Sequence, residues 1–90
     1  MRAVELAPAG IIVNAVSPGM IETDAIKQLS RPEAVLELVR QQTPAGRLAT
    51  AEDVAELVAF LCSPQAQMIV GQTLMIDGGY SHLAARLSGE

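Results

Sequence analysis

The sequence is poor in cysteine, in aromatic residues and in basic residues. Cys62 is the only cysteine among the 90 residues, so no internal disulfide can form, and we expect it to be a small buried hydrophobic residue on a helix. The six lysines and arginines are scattered along a chain with ten acidic residues and a net charge of -4, which gives no electrostatic footprint for phosphate backbones. We therefore expect no nucleic-acid partner.

Long hydrophobic runs and targeting signals are also missing. The longest wholly apolar runs, such as residues 57–62, are far shorter than the roughly 20 residues that span a bilayer. Met1 and Arg2 are followed by Glu5 and Pro8, not by the apolar core and small-residue cleavage site of a secretory signal. We expect no membrane partner and, by default, a cytoplasmic protein.

The composition is that of a globular protein, with 50% hydrophobic and 18% charged residues. Residues 11–16, IIVNAV, are apolar and β-branched without alternation, which predicts a strand buried on both faces of a parallel sheet. Asn14 interrupts this run and is expected to be a buried amide bonded to neighbouring backbone, not a catalytic group. Residues 73–77, TLMID, predict a second buried strand that Gly78 and Gly79 close.

Helices are predicted before and between these strands. Residues 1–7 look like the tail of a helix that ends at Pro8. The S-x-x-E pattern that begins at Ser30 predicts a helix over 32–42, and a second start signal at Thr50 predicts a helix over 50–62.

Two strands separated by helices predict an α/β fold with parallel pairing. A parallel sheet needs helices on both faces and further strands along its edges, and this chain supplies too few of either. We therefore predict a single incomplete domain over 1–90, with a flexible tail over 81–90.

Four blocks of the sequence together carry a family resemblance. They are VNAVSPGMIET from Val13, TPAGR from Thr43, AEDVAELVAFLCS from Ala51 and GQTLMIDGG from Gly71. Their order and spacing resemble the C-terminal third of a short-chain dehydrogenase/reductase, and TPAGR with MIVGQT is most similar to 3-oxoacyl- and enoyl-acyl-carrier-protein reductases of fatty acid biosynthesis. The resemblance implies the last two strands, with their helices, of a Rossmann-like doubly wound parallel sheet.

The resemblance also implies a cofactor site at the Ser-Pro-Gly corner, which on its own would be read only as a turn. In the family this segment curls over the nicotinamide end of NAD(P). Pro18 and Gly19 would then shape the corner, and Ile21 would offer backbone groups to the carboxamide. Thr23 would offer its hydroxyl to the carboxamide or to the phosphate.

Residues 20–42 correspond to the family's substrate loop and the helix after it. The apolar residues of this segment are expected to be core and not pocket lining: Met20, Ile26, Leu29 and Leu36. Helix 50–62 and strand 73–77 resemble the elements that pair subunits in the family's tetramers.

The family's catalytic motifs are not in this sequence. The motif Tyr-x-x-x-Lys is absent, because Ala84 stands four residues after Tyr80 and the only lysine is Lys27. None of the seven glycines forms the glycine-rich phosphate cradle, and His82, which we expect to be solvated, has no carboxylate cluster or metal-ligand spacing near it. We therefore predict no catalytic residue and no metal site in these 90 residues.

Two interpretations stay open. In the first, the chain is the C-terminal portion of an NAD(P)-dependent oxidoreductase for an acyl-thioester or other carbonyl or enoyl substrate. NADP or NAD would be bound by the parent enzyme, and the chain alone would be inactive. In the second, it is a non-catalytic module, a genuine small protein that self-associates or docks on a full-length family member. The expected partners are accordingly a second copy or a missing N-terminal part. A regulatory nucleotide binder is a weaker third reading, because the phosphate cradle is missing.

Overall fold

The computed structural model describes residues 1–21, 28 and 31–87, with side chains up to residue 83. Its elements are α1 (Ala3–Leu6), β1 (Ala15–Pro18), α2 (Pro32–Gln42), α3 (Ala51–Leu61), β2 (Thr73–Ile76) and α4 (Tyr80–Leu87). Short 3₁₀ turns follow α1 at Ala7–Ala9 and α3 at Pro64–Ala66.

The two strands lie side by side in a parallel sheet. Ala15 is paired with Thr73 and Pro18 with Ile76, and α2 and α3 lie between the strands in the chain. The predicted parallel pairing of an α/β fold is therefore confirmed. Because both strands run in the same direction, their carboxyl ends, at Pro18 and Ile76, meet at one edge of the sheet.

The bounds and burial of β1 differ from the prediction. The strand begins at Ala15 instead of Ile11, because Gly71, opposite the preceding residues, has a left-handed φ of 71° that ends the regular ladder. Neither strand is buried on both faces: β1 is half-buried over Ala15–Ser17, and β2 alternates exposed and half-buried residues. No other strand or helix of the described part of the chain covers these faces fully.

Asn14 links the start of β1 to the segment before β2. Its Nδ2 donates to the carbonyl of Ile69 at 2.8 Å, and its Oδ1 accepts from the backbone N–H of Gln72 at 2.9 Å. The side chain is half-buried. The predicted structural role of this amide is confirmed.

The predicted bounds of α2 are confirmed, and α3, at Ala51–Leu61, is one residue shorter at each end than predicted. Helix α2 covers Pro32–Gln42, although Ser30 of its predicted capping box lies outside the described residues. Helix α3 begins with a capping box in which Thr50 Oγ1 accepts from Asp53 N at 3.2 Å and Asp53 Oδ2 accepts from Thr50 N at 2.9 Å.

The buried core is small. Among the described residues, the buried apolar side chains are Ala3, Leu48 and Ala66, and only Leu48 is larger than a methyl group. Cys62 is exposed at the end of α3, so the prediction that it is buried is wrong. It lies beside Ile12 and Val16 in an open apolar groove of about 180 Å³, and no element of the described chain fills that groove.

The C-terminal segment is helical as far as the structure describes it. Residues 81–87, which we expected in a flexible tail, belong to α4, while their mobility stays a prediction. His82 is exposed, as predicted. Of the helices in the described ranges, none has the length and apolar character needed to cross a membrane.

Candidate functional site

The Pro-Gly corner lies where the carboxyl ends of the two strands meet. Pro18 ends β1, and the N–H of Gly19 donates to the carbonyl of Ile76 at 3.0 Å. Both corner residues are exposed. Open α/β sheets bind ligands beyond the carboxyl ends of their strands, so the position of the corner suits a binding role.

Gly19 is close to a residue of its own chain. A Cβ at this position would lie 2.9 Å from the Cβ and 3.4 Å from the Cα of Asp77. A Cβ contact under 3 Å forces a shift, so this site requires glycine for packing alone. The requirement for glycine does not depend on a ligand.

The other two predicted cofactor residues are described only in part. Ile21 forms an isolated parallel bridge with Ala49, which pairs the segment after the corner with the loop before α3. Its contact with a carboxamide stays a prediction. Thr23 lies outside the described residues.

The TPAGR block packs against the glycines after β2. The N–H of Ala45 donates to the carbonyl of Gly78 at 2.9 Å, and a Cβ at Gly78 would lie 2.6 Å from Thr43 Cγ2. Thr43 is buried, and its hydroxyl donates to the carbonyl of Val39 at 2.6 Å. Two of the sequence blocks behind the family resemblance thus form one packed unit.

Asp77 caps the first turn of α4, a role that the sequence analysis missed. Its Oδ1 accepts from Gly79 N at 2.9 Å, and its Oδ2 accepts from Ser81 N at 3.2 Å. The Ser81 hydroxyl and then these backbone donors hold the pKa of this carboxyl below its ordinary value. Asp is a common capping residue before a helix, so the residues from Asp77 to Ser81 could have predicted the start of α4.

Arg47 and Asp53 form a two-pronged ion pair at the start of α3. Arg47 Nη1 lies 2.7 Å from Asp53 Oδ2, and Nη2 lies 3.2 Å from Oδ1. The Arg47 guanidinium, followed by the N–H of Thr50, holds the pKa of Asp53 well below its ordinary value of 3.8. This pair, which fixes the TPAGR turn against the helix, was not predicted from the sequence.

A cavity of about 290 Å³ lies beside the corner. It is lined by Gly19, Met20, Val39, Gln42, Thr43, Leu48, Ala49, Asp77 and Tyr80. Met20 is 49% exposed, so the prediction that it belongs to the core is wrong, whereas Leu36 is half-buried and does not line the cavity. Ile26 and Leu29 lie outside the described residues.

The lining is largely apolar, at Met20, Val39 and Leu48, and so suits a ring or an acyl group. Gln42, Tyr80 and the carboxylate of Asp77 add polar groups that can bond to a ligand. His82 does not line this cavity. Within the described ranges, no three His, Cys, Asp or Glu residues are grouped as metal ligands.

Comparisons with known proteins agree with this geometry. A family model described as enoyl-(acyl carrier protein) reductase matches residues 1–81. The 3-oxoacyl-(acyl-carrier-protein) reductase FabG of Aquifex aeolicus is 46% identical over 75 residues, which cover 83% of this chain and 29% of the relative. The chain thus spans about 30% of the length of the curated relatives that it matches.

Solved structures have the same arrangement of elements. A short chain dehydrogenase family protein from Francisella tularensis superposes with a TM-score of 0.79 at 30% identity, over 90% of this chain and 37% of that protein. A 4-hydroxyisoleucine dehydrogenase complexed with NADH gives a TM-score of 0.77 at 26% identity, over 88% of this chain and 32% of that protein. The chain, a partial Rossmann-like α/β piece, therefore belongs to the short-chain dehydrogenase/reductase family.

Proposed function

We propose that this chain forms the nicotinamide side and the substrate side of an NAD(P)-dependent oxidoreductase that acts on an acyl-thioester or another carbonyl or enoyl group. The observation that carries the proposal is the corner at Pro18 and Gly19, which is held to the end of β2 by the hydrogen bond to Ile76. The relatedness to 3-oxoacyl-(acyl-carrier-protein) reductases supports the substrate class and a role in fatty acid biosynthesis.

The residues present fit one end of the cofactor. The exposed corner and the apolar cavity beside it suit the flat nicotinamide ring, with Ile21 and Thr23 as further contacts. NAD(P) supplies or accepts the hydride, and the chain orients and shields its nicotinamide end. The pyrophosphate end needs closely spaced glycines that the sequence does not contain, so we expect the chain alone to bind the cofactor poorly.

A chimera tests this proposal. Residues 1–81 of this chain would replace the matching segment of the Aquifex aeolicus reductase. We expect the chimera to reduce a 3-oxoacyl thioester with NADPH. Gly19→Val should lower kcat/KM by about 100-fold, because a side chain at this position would push the corner away from Asp77.

The matched control is Met68→Ser, at a residue that is 94% exposed and lies outside the cavity. This variant should keep the activity of the chimera. A folded chimera without activity, or equal losses in the two variants, would contradict the proposal.

A second candidate function is a non-catalytic interaction module. Its support is the set of exposed apolar side chains on α3 and β2: Val58, Phe60 and Met75. Such a module would self-associate or dock on a full-length family member. The cytoplasmic location suggested by the sequence stays a prediction under both functions.

Titration of the 90-residue chain with NADPH and NADH, with sedimentation of the same sample, separates the two candidates. Saturable binding by a self-associated chain would favour a module that rebuilds a nucleotide site by assembly. The first proposal expects no saturable binding by the chain alone.

A further inference from the structure

The turn that follows β2 contacts three separate segments of the chain. The N–H of Gly19 donates to the carbonyl of Ile76, the last residue of β2, and the N–H of Ala45 donates to the carbonyl of Gly78 in the turn itself. Helix α4 begins at the end of the turn, where the N–H of Tyr80 donates to the carbonyl of Asp77 at 3.1 Å. The corner, the TPAGR turn and the start of α4 are therefore all hydrogen-bonded to carbonyl groups of residues 76–78.

Asp77 is the residue of this segment that contacts both the corner and α4. Its Cα and Cβ occupy the space that a side chain at Gly19 would need. Its two carboxylate oxygens accept from Gly79 N and Ser81 N in the first turn of α4. Asp77 also lines the cavity beside the corner, as do Gly19 and Tyr80.

We propose that Asp77 is a positioning residue that sets the place of the corner at Pro18 and Gly19 and couples it to α4. The Cα and Cβ of Asp77 hold the corner, and its carboxylate holds the helix, so a movement of one is passed to the other. The functional consequence rests on the proposed role of the corner at the nicotinamide end of the cofactor. Loss of Asp77 should weaken cofactor binding more than it slows turnover of the bound complex.

Hydrogen exchange of the residue-19 amide in the 90-residue chain tests the contact without any cofactor. Gly19→Ala should raise the exchange rate of this amide about tenfold or more, because the new Cβ displaces the N–H from Ile76. Adding Asp77→Gly removes the opposing Cβ and should restore slow exchange. Adding Asp77→Ala to Gly19→Ala also removes the carboxylate but keeps the Cβ, and should not restore slow exchange.

The control for loss of an acidic side chain is Glu52→Gln on α3, which should leave the residue-19 amide unchanged. Equal restoration by Asp77→Gly and Asp77→Ala would overturn the proposal. An unprotected residue-19 amide in an unsubstituted chain whose Ala15 amide is protected would overturn it as well, since the sheet would then form without the contact between Gly19 and Ile76.

The functional consequence is measured in the chimera described above. Asp77→Ala should raise the KM for NADPH about fivefold or more and change kcat less than about twofold, because it releases the first turn of α4, to which the corner is coupled, without touching the reacting atoms. Asp77→Asn keeps an acceptor oxygen for the first turn of α4 and should recover most of the loss.

The two proposals fail in different ways. A folded, unsubstituted chimera that does not bind NADPH would refute the proposed function, whereas the exchange pattern would still support positioning by Asp77. An unchanged KM in Asp77→Ala, in a chimera that binds NADPH, would overturn the coupling of Asp77 to the cofactor site.

Discussion

Gly78 shows how closely the sequence blocks of the site are packed. Its φ of 62° lies in the left-handed region, and a Cβ there would be 2.6 Å from Thr43 Cγ2. Gly78→Ala combines backbone strain of about 1–2 kcal/mol with overpacking of about 1–3 kcal/mol. We expect the free energy of unfolding, measured in urea, to fall by about 2 kcal/mol or more.

Gly10→Ala is the matched control for this change. Gly10 has a φ of 83°, but a Cβ there would have nothing within 4 Å, so only the backbone strain applies. The loss of stability should therefore be clearly smaller than for Gly78→Ala. Equal losses in the two variants would show that Thr43 moves aside at little cost.

The loss of stability at acidic pH depends on the ionisation of Asp53. Its pKa in the folded chain is lowered by Arg47, so its contribution is present above its unfolded pKa, near 3.8, and is lost as the pH falls towards the folded value. We expect thermal stability to fall below about pH 4, and Asp53→Asn to flatten this fall. The lowered pKa of Asp77 acts in the same direction and should leave a residual slope.

Glu52→Gln is the control for this measurement, because it removes a neighbouring carboxylate of α3 that has no ion pair with Arg47. Melting temperatures from about pH 5 to about pH 3 give the comparison. If Asp53→Asn melts with the same pH dependence as the unsubstituted chain, the ion pair does not contribute to stability.

Sequence reasoning at the residue scale depended on whether the partner of a residue lies nearby in the chain. The capping box of Thr50 and Asp53 is local, and it was predicted correctly. The contacts of Gly19 and Arg47 were not predicted, because Asp77 is distant in sequence from Gly19 and no helix-start pattern pairs Arg47 with Asp53. Cys62 was predicted to be buried because its side chain is apolar. Burial also requires another element to pack over the side chain, which the local sequence does not show.

At the scale of elements, β1 has one edge paired with β2 and one edge that no strand of the described residues covers. The N–H of Ala15 donates to the carbonyl of Gln72, just before β2, and that of Gly19 to the carbonyl of Ile76. In a parallel ladder alternate residues of a strand donate to the same neighbour, so the N–H of the residue after Ala15 points the other way. We therefore expect the N–H of Val16 to exchange with solvent much faster than that of Ala15. Equal protection of the two amides would show that another strand lies along the open edge.

The sequence predicted the helices better than the strands. The bounds of α2 and α3 follow from caps and apolar spacing within each helix, and both were predicted almost to the residue. The start of β1 depends on where the partner strand takes up a regular extended conformation. Because Gly71 has a left-handed φ, β2 begins only at Thr73. Helix α4 was missed because its cap, Asp77, was assigned to the end of the second strand.

At the scale of the whole molecule, the chain is expanded for its length. Its Cα radius of gyration is 16.2 Å, whereas a compact domain of this length has about 12 Å. Its accessible surface is 6554 Å², against about 5,000 Å² for a folded monomer of this mass. The excess of about 1,500 Å² is roughly twice the surface that one partner buries in a stable protein interface.

We expect the purified chain to be an oligomer or partly unfolded, because α3 and β2 expose Phe60 and Met75. Sedimentation should detect self-association that decreases in Phe60→Ser and in Met75→Glu. The control Met68→Ser, in the turn after α3, should sediment as the unsubstituted chain does. A cooperatively folded monomer would contradict this prediction.

The link from Asn14 to Ile69 and Gln72 also bears on the order of folding. This link and the sheet both join the beginning of the chain to its last third. Helix α3 needs only its own cap and neighbouring residues, but the sheet forms only after a long loop has closed, and loop closure costs chain entropy. Folding of this protein should therefore be limited by strand pairing, with α3 formed early and the corner completed last.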